Sequence, residues 1–439
     1  MSNISLRPSR WLIYGSICYS MNLWLGPYTF KTYDKDGLYY FMLCWLLFWL
    51  GLFIPEKTIR TNRHFKKDQF FLSINSEKFL CIVMFFIIAA GLASIYYIAF
   101  LSGVSYSEGI AGVRHMISRG ESIGFEKYSS WWSRLVQFIS YGSPSVFIIV
   151  GLCLKTRYKI TALLSYLCLC IPAILVLIQG GRGPALFVIS ILIFVGIIRI
   201  HKNLSFLPYL PMIRNLIFFS ICGVVYISVN LFLWRSGSTS SDELMESIQY
   251  ISLLGGGYSE IKPSFLSLNV MLNGILSPIY LLSWYLSHSI PFFTNLFSDS
   301  SYSLLYYGAY HLRVVGYVVK FLGLPWPDYL DIVNSQPYWG MYPSAVQAFL
   351  LDFGVVAAPI CIFGVGLIFG YIYRQAMCGR ILAQFILPII ILETALFPIY
   401  PIFWGGSDFV LLELVLVYFL LMIGGGFKSL KMKVYQGCS

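Results

Sequence analysis

Three groups of residues in this 439-residue chain have types and spacings suited to chemistry. The first is Gly180-Gly181-Arg182-Gly183-Pro184. Proline suits the first turn of a helix, where its missing N–H is no loss, and glycines before it let backbone N–H groups approach a ligand. A helix N-terminus beside an arginine is a good phosphate or oxyanion site; the plain alternative is a tight turn with a snorkelling arginine. The second group is Ala309, Arg313, Gly316 and Lys320, spaced three or four apart in the apolar run 303–323. On one helix they form a narrow basic stripe, either a cavity wall for a charged headgroup or the snorkelling face of an interfacial helix. His311 would point about 160° away from Arg313 on that helix. The third group is the carboxyls Asp352, Glu393 and Glu413, set in apolar surroundings where a charge is costly without a cavity or a partner. The plain reading of Glu393 and Glu413 is a neutral or ion-paired structural carboxyl. Asp408, after Gly405-Gly406-Ser407, reads as a helix N-cap. The ten cysteines include no CxxC pair, and they fit small packing residues better than a metal site or a disulfide framework.

The elements that must position these residues are membrane helices. Hydrophobic residues make up 58% of the chain and charged residues 11%, against about a quarter charged in a soluble protein. Most of this apolar surface must therefore face lipid. The net charge of +11 does not imply a nucleic-acid partner, because the basic residues are scattered between apolar runs and not gathered on one face. Runs long enough to cross about 30 Å of hydrocarbon lie near 11–30, 38–54, 79–102, 135–154, 161–179, 184–200, 215–234, 350–373, 383–402 and 409–427. Threaded from a cytoplasmic start, they leave nineteen of the thirty Lys and Arg on the inner side, in short loops, with three of the nineteen acids. By the positive-inside rule both termini are then cytoplasmic. The N-terminal run lacks a cleavage site and reads as a retained first span.

The expected fold is all-α and polytopic, with ten spans and a twelve-span alternative. It divides into a membrane region at 1–234, a large outer loop at 235–341, and a C-terminal membrane region at 342–439. The alternative turns on the uncharged stretch 265–288. Crossing there would put 289–302 in the cytoplasm without a single Lys or Arg, so an interfacial or re-entrant segment is preferred. The run from Met341 to Arg374 is too long for one upright span, and its first part, 342–353, reads as an outer extension carrying Asp352.

Several of these features occur together in a known order. Gly180–Gly183 opens a membrane helix, and Tyr307-Gly308-Ala309-Tyr310 lies in the long outer loop. Asn334-Ser335-Gln336-Pro337-Tyr338-Trp339 follows, and then Met341-Tyr342-Pro343-Ser344 leads to Asp352-Phe353-Gly354 and a glycine-rich span. This order resembles the Wzy-type oligosaccharide repeat-unit polymerases of bacterial surface polysaccharides, over roughly 160–425 and most strongly over 300–375. The arginine-to-glycine step of eleven residues described for some polymerases is absent: Arg114 to Gly124 and Arg313 to Gly323 are each ten apart.

The resemblance implies a GT-C-like glycosyltransferase at the periplasmic face of the inner membrane. Its substrates would be glycans on undecaprenyl diphosphate, with membrane lipids around them and a chain-length-regulating co-polymerase as a partner. No metal, nucleotide or other cofactor is implied. Arginine suits the diphosphate, being permanently charged and able to bind its oxygens in pairs. Arg182, Arg235 and Arg313 are the first candidates, then Arg114, with Gly181, Gly183 and Lys320 beside them. The candidate bases for the acceptor hydroxyl are Asp352, then His311, then Glu260. An O-antigen ligase, using the same donor, is the alternative. A flippase fits less well, because the embedded polar residues gather toward the outside.

Overall fold

The computed structural model describes residues 5–30, 34–58, 69–97, 131–153, 158–178, 183–206, 259–266, 280, 283–284, 286–297, 305–311, 315–316, 319–320, 322–327, 332, 344–403, 406–423 and 425–430. Long apolar runs leave peptide groups without water, so each segment closes its hydrogen bonds internally as a helix. The main elements are α1 (Pro8–Leu25), β1 (Tyr28–Phe30), α2 (Lys35–Lys57), β2 (Gln69–Leu72), α3 (Ile74–Tyr96), α4 (Trp131–Gly142), α5 (Pro144–Leu152), α6 (Lys159–Ile178) and α7 (Gly183–His201). They continue with β3 (Ser259–Ile261), α8 (Pro263–Leu266), α9 (Ser289–Phe297), α10 (Ala345–Met377), α11 (Ile381–Leu396), α12 (Ser407–Ile423) and β4 (Phe427–Leu430). Helices thus occupy nine of the ten expected positions, and 215–234 lies outside the described residues. Four of them, α2, α3, α6 and α10, are long and apolar enough to cross a membrane, and Phe138–Leu152, Leu186–His201 and Ile381–Leu396 are shorter apolar helices.

Side-chain placement matches a lipid solvent. Large apolar residues such as Phe85, Phe86, Ile360, Ile368 and Phe419 point outward, an exposure that a water-soluble monomer rarely shows over so much surface. Small residues face inward and let helices close on each other. A Cβ on Gly366 or Gly370 would come within 2.6 Å of the Phe48 or Leu52 carbonyl, so α10 lies directly against the backbone of α2. One apolar cluster joins α3, α5, α6, α7, α11 and α12; a second joins α1, α2, α9 and α10.

Two antiparallel strand pairs each bring together loops distant in sequence, one pair at each end of α2. β1 pairs with β3, Tyr28 opposite Ile261, and β2 pairs with β4, Gln69 opposite Leu430. Lys262 reinforces the first pair, its Nζ donating to the carbonyls of Trp24 and Gly26 at the end of α1. α9 packs on the first turns of α2, where a Cβ on Gly37 would meet the Thr294 backbone at 2.8 Å. The 259–261 and 289–297 segments therefore both sit at the end of the bundle where β1 leads into α2.

Local chemistry sets the element ends. Ser73 and Ser344 cap α3 and α10 by accepting from the backbone N–H of Ser76 and Gln347. α7 starts at Gly183 with Pro184 in its first turn, as its residues predict. Two expectations need correction. Asp408 lies inside the first turn of α12 and is not its cap, because the helix already begins at Ser407 after Gly406 turns the chain at φ +94°. The run 303–323 is not one regular helix: 307–311 forms a turn, with Tyr307 and Gly308 at φ +50° and +91°. Two consecutive left-handed residues interrupt a helix, so no single wheel runs through 307–308; Arg313, whose relation to His311 was expected from it, lies outside the described residues.

Candidate functional site

The site is built where the 305–311 turn meets the first part of α10. Helix α10 is broken at Gly354, whose φ of +73° and ψ of 176° belong to a region nearly exclusive to glycine. Asp352 thus stands in the last turn before the break. The turn docks on this end through its backbone: Tyr306 N–H donates to the Leu351 carbonyl at 3.3 Å, and Tyr307 N–H to the Asp352 carbonyl at 2.9 Å. Ala309 and Tyr310 pack with Ile332, Ala348 and Leu351, and Trp326 closes against them.

This docking delivers three N–H donors to one carboxylate. Asp352 Oδ1 accepts from Tyr310 N–H at 3.0 Å, and Oδ2 accepts from His311 N–H at 3.2 Å and from His311 Nδ1 at 2.7 Å. Asp352 is fully buried and His311 is 5% exposed. A carboxylate can only accept, so the imidazole proton sits on Nδ1 and a neutral ring carries its lone pair on Nε2. Nε2 is buried and has no hydrogen-bond partner among the described residues. The Phe349 ring, 4.2 Å away centroid to centroid, fixes the imidazole from one side. Buried acceptors without partners are rare in folded proteins. A hydroxyl placed against Nε2 would complete it and could pass it a proton, with Asp352 orienting the ring and stabilising the imidazolium.

The geometry reorders the expected bases. Both oxygens of Asp352 are occupied, so the carboxylate suits a positioning role, and of the pair only His311 Nε2 is left able to take a proton. Glu260 is the exposed middle residue of β3, opposite Thr29, and the contacts described around Asp352 come from the 306–311 turn and not from it. Lys320 is half-buried in the segment that follows the turn. Gly183 opens α7. Gly181, Arg182, Arg114, Arg235 and Arg313 lie outside the described residues. Glu393 accepts from Phe403 N–H at 2.9 Å, tying the turn after α11 back to that helix. Among the described residues no group of three or more His, Cys, Asp and Glu is placed to hold a metal.

The His311–Asp352 pairing was hidden in the sequence by its 41-residue separation and by the assumption of a regular helix. The available signal was Tyr307-Gly308, a glycine inside an apolar run. Compared with models of known protein families, with curated proteins and with solved structures, the chain matches none.

Proposed function

We propose that the chain is a glycosyltransferase of the bacterial inner membrane that polymerises undecaprenyl-diphosphate-linked oligosaccharide repeat units into O-antigen or a related surface polysaccharide. The observation that supports it best is the His311–Asp352 pair, with one imidazole nitrogen left for a substrate. The acceptor sugar's hydroxyl gives its proton to His311 Nε2 while its oxygen bonds to the anomeric carbon of the donor glycan. The bond from that carbon to the diphosphate oxygen breaks, and undecaprenyl diphosphate leaves with the electron pair. Base catalysis of this kind contributes about 10²–10⁴-fold. Arg182, Arg235, Arg313 and Arg114, with Lys320, would bind the diphosphate and stabilise its departing charge. A leaving group already held in the lipid interface needs no nucleotide site.

The arrangement proposed is ten spans with 235–341 outside and both termini in the cytoplasm. Two observations support it. Segments 259–261 and 289–297 anchor at one end of the bundle, where a crossing at 265–288 would have separated them. β2 and β4 join the two basic segments that flank α3 and follow α12, as inner loops should. A co-polymerase setting chain length is the expected partner.

The test is a deletion strain. At most one repeat unit should reach the surface while ligation continues, and a plasmid carrying the native chain should restore long chains. Long lipid-linked polymer that never reaches the surface would replace this reading with a ligase, and an unchanged glycan profile would remove both.

A further inference from the structure

Glu413 lies two turns inside α12, away from the His311 site and unused by the reaction above. Its Oε1 accepts from Ser145 Oγ at 3.0 Å, whereas Oε2 is buried with no hydrogen-bond partner among the described residues. The carboxyl fits because position 142 is glycine: a Cβ there would come 2.1 Å from Oε2. Around it, α4, α5 and α6 offer hydroxyls already committed elsewhere. Ser143 Oγ donates to the carbonyls of Ser140 and Cys168, and Ser140 Oγ to the Val136 carbonyl.

Among the described residues no hydrogen bond or ion pair links this carboxyl to a cation. The titratable groups on the elements packed against it, besides the lysines and arginine taken next, are Asp408 and Tyr418 on α12, Tyr141 on α4, Tyr166, Cys168 and Cys170 on α6, Glu393 on α11, and Glu77, Cys81 and Tyr96 on α3; the described residues of α5 carry none. Lys78 and Lys159 stand at the far ends of α3 and α6, with Lys159 nine residues and about 14 Å along the helix from Cys168. The Arg134 side chain is outside the described residues. An ionised carboxylate with a bare oxygen in such surroundings would cost several kcal/mol. A hard metal cation would need roughly six oxygens, and here only the carboxyl's own two and Ser145 Oγ are at hand. A proton needs one.

We propose that Glu413 is a proton-binding site inside the helix bundle, its carboxyl held as the neutral acid, and hence a site of covalent modification by a membrane-permeant carbodiimide. In that modification the acid's O–H adds across one C=N bond of the reagent. The carboxyl oxygen bonds to carbon, the proton passes to nitrogen, and the O-acylisourea rearranges to a stable N-acylurea. No atom is lost and nothing is oxidised.

The experiment treats the full-length protein in membranes with dicyclohexylcarbodiimide at pH 6 and pH 9 and locates the adduct by peptide mass spectrometry. Thermal unfolding of the native chain and of Glu413→Gln is measured at both pH values, with and without added sodium. The adduct should fall on Glu413, decrease several-fold at pH 9 and vanish in Glu413→Gln. Because an amide copies the shape of the neutral acid and does not ionise on unfolding, the variant's Tm relative to the native chain should rise from pH 6 to pH 9 and exceed the native value at pH 9. A variant equally destabilised at both pH values would overturn the proposal, since a charge partner would then have been lost. A sodium-dependent Tm rise confined to the native chain would overturn it in favour of a metal ion. Absence of adduct together with a pH-independent native Tm would overturn it as well.

Discussion

The two ends of α10 bury polar groups in opposite ways. At the Met377 end, two cations and an amide are bonded to oxygens or to one another. Gln384 donates to the Ala376 carbonyl, Lys202 Nζ donates to Gln384 Oε1 and lies 4.2 Å over the Phe70 ring, and Arg199 donates to the carbonyls of Gly151, Cys153 and Ser205. These cations cap chain ends and close the bundle. At the Asp352 end, about 33 Å away along the helix beyond Gly354, the carboxylate is equally well matched but its histidine partner keeps one nitrogen unpaired. Burial of charge therefore does not mark the site in this molecule. What sets the Asp352 end apart is an imidazole whose Nδ1 is fixed by a buried carboxylate while its Nε2 has no hydrogen-bond partner among the described residues.

That contrast is sharpest at Asp352. Replacing it with Ala removes the acceptor of three N–H groups at once. Chain length at matched protein level should collapse, with a rate loss of about 10²-fold or more as the His311 ring loses its orientation. The turn should also loosen, and the Tm should drop. Asp352→Ala with normal polymer would reduce the pair to packing.

Arg182→Lys is expected to cost less. The charge is retained but the paired planar donors are lost, removing an interaction of about 1.5–3 kcal/mol. Polymer synthesis should fall roughly ten- to a hundredfold if the contact is felt in the transition state. Near-normal chains from the Lys variant would mean that Arg182 only anchors the helix end, and the diphosphate contact should then be sought at Arg235 and Arg313.

Gly354→Ala probes the break itself. Alanine at φ +73° and ψ 176° is strained by about 1–3 kcal/mol, and its Cβ would press on Leu305 at 3.1 Å. The Tm should fall and activity should fall with it, because the same backbone aims Asp352. A loss of Tm with full activity per folded molecule would separate the break from the site.

The smallest effect on activity is expected at the other end of α10. Lys202→Met leaves Gln384 Oε1 without its donor, a cost of about 1–3 kcal/mol in stability. Adding Gln384→Leu should recover part of it, since apolar pairs often replace buried polar ones well. Polymer length at matched protein level should not change. A large change would show that both ends of α10 serve the reaction.

The helices were legible because apolar length is a local property, and Pro184 marks the start of α7 in the sequence itself; the caps Ser73 and Ser344 lie six residues before the starts expected for α3 and α10 and were not read. The paired loops were not legible. β1 meets β3, and β2 meets β4, across hundreds of residues through backbone bonds that leave no side-chain pattern. The site fell between these cases. Asp352 and His311 were both candidates from residue type, but their contact depends on the left-handed step at Tyr307 and Gly308, which a helical wheel over 303–323 conceals. Asp408 was misplaced by two residues for a related reason, a glycine with positive φ at 406.

The central claim is that the Nε2 atom of His311 takes the acceptor's proton. Its most direct test is polymerisation of a purified lipid-linked repeat unit by the protein reconstituted in vesicles, comparing the native chain with His311→Ala at equal folded amounts, alongside binding of the lipid-linked donor. The account predicts that the native chain extends the glycan, that the variant extends it about 10²–10⁴-fold more slowly, and that donor binding is nearly unchanged. Extension by His311→Ala at the native rate would contradict it.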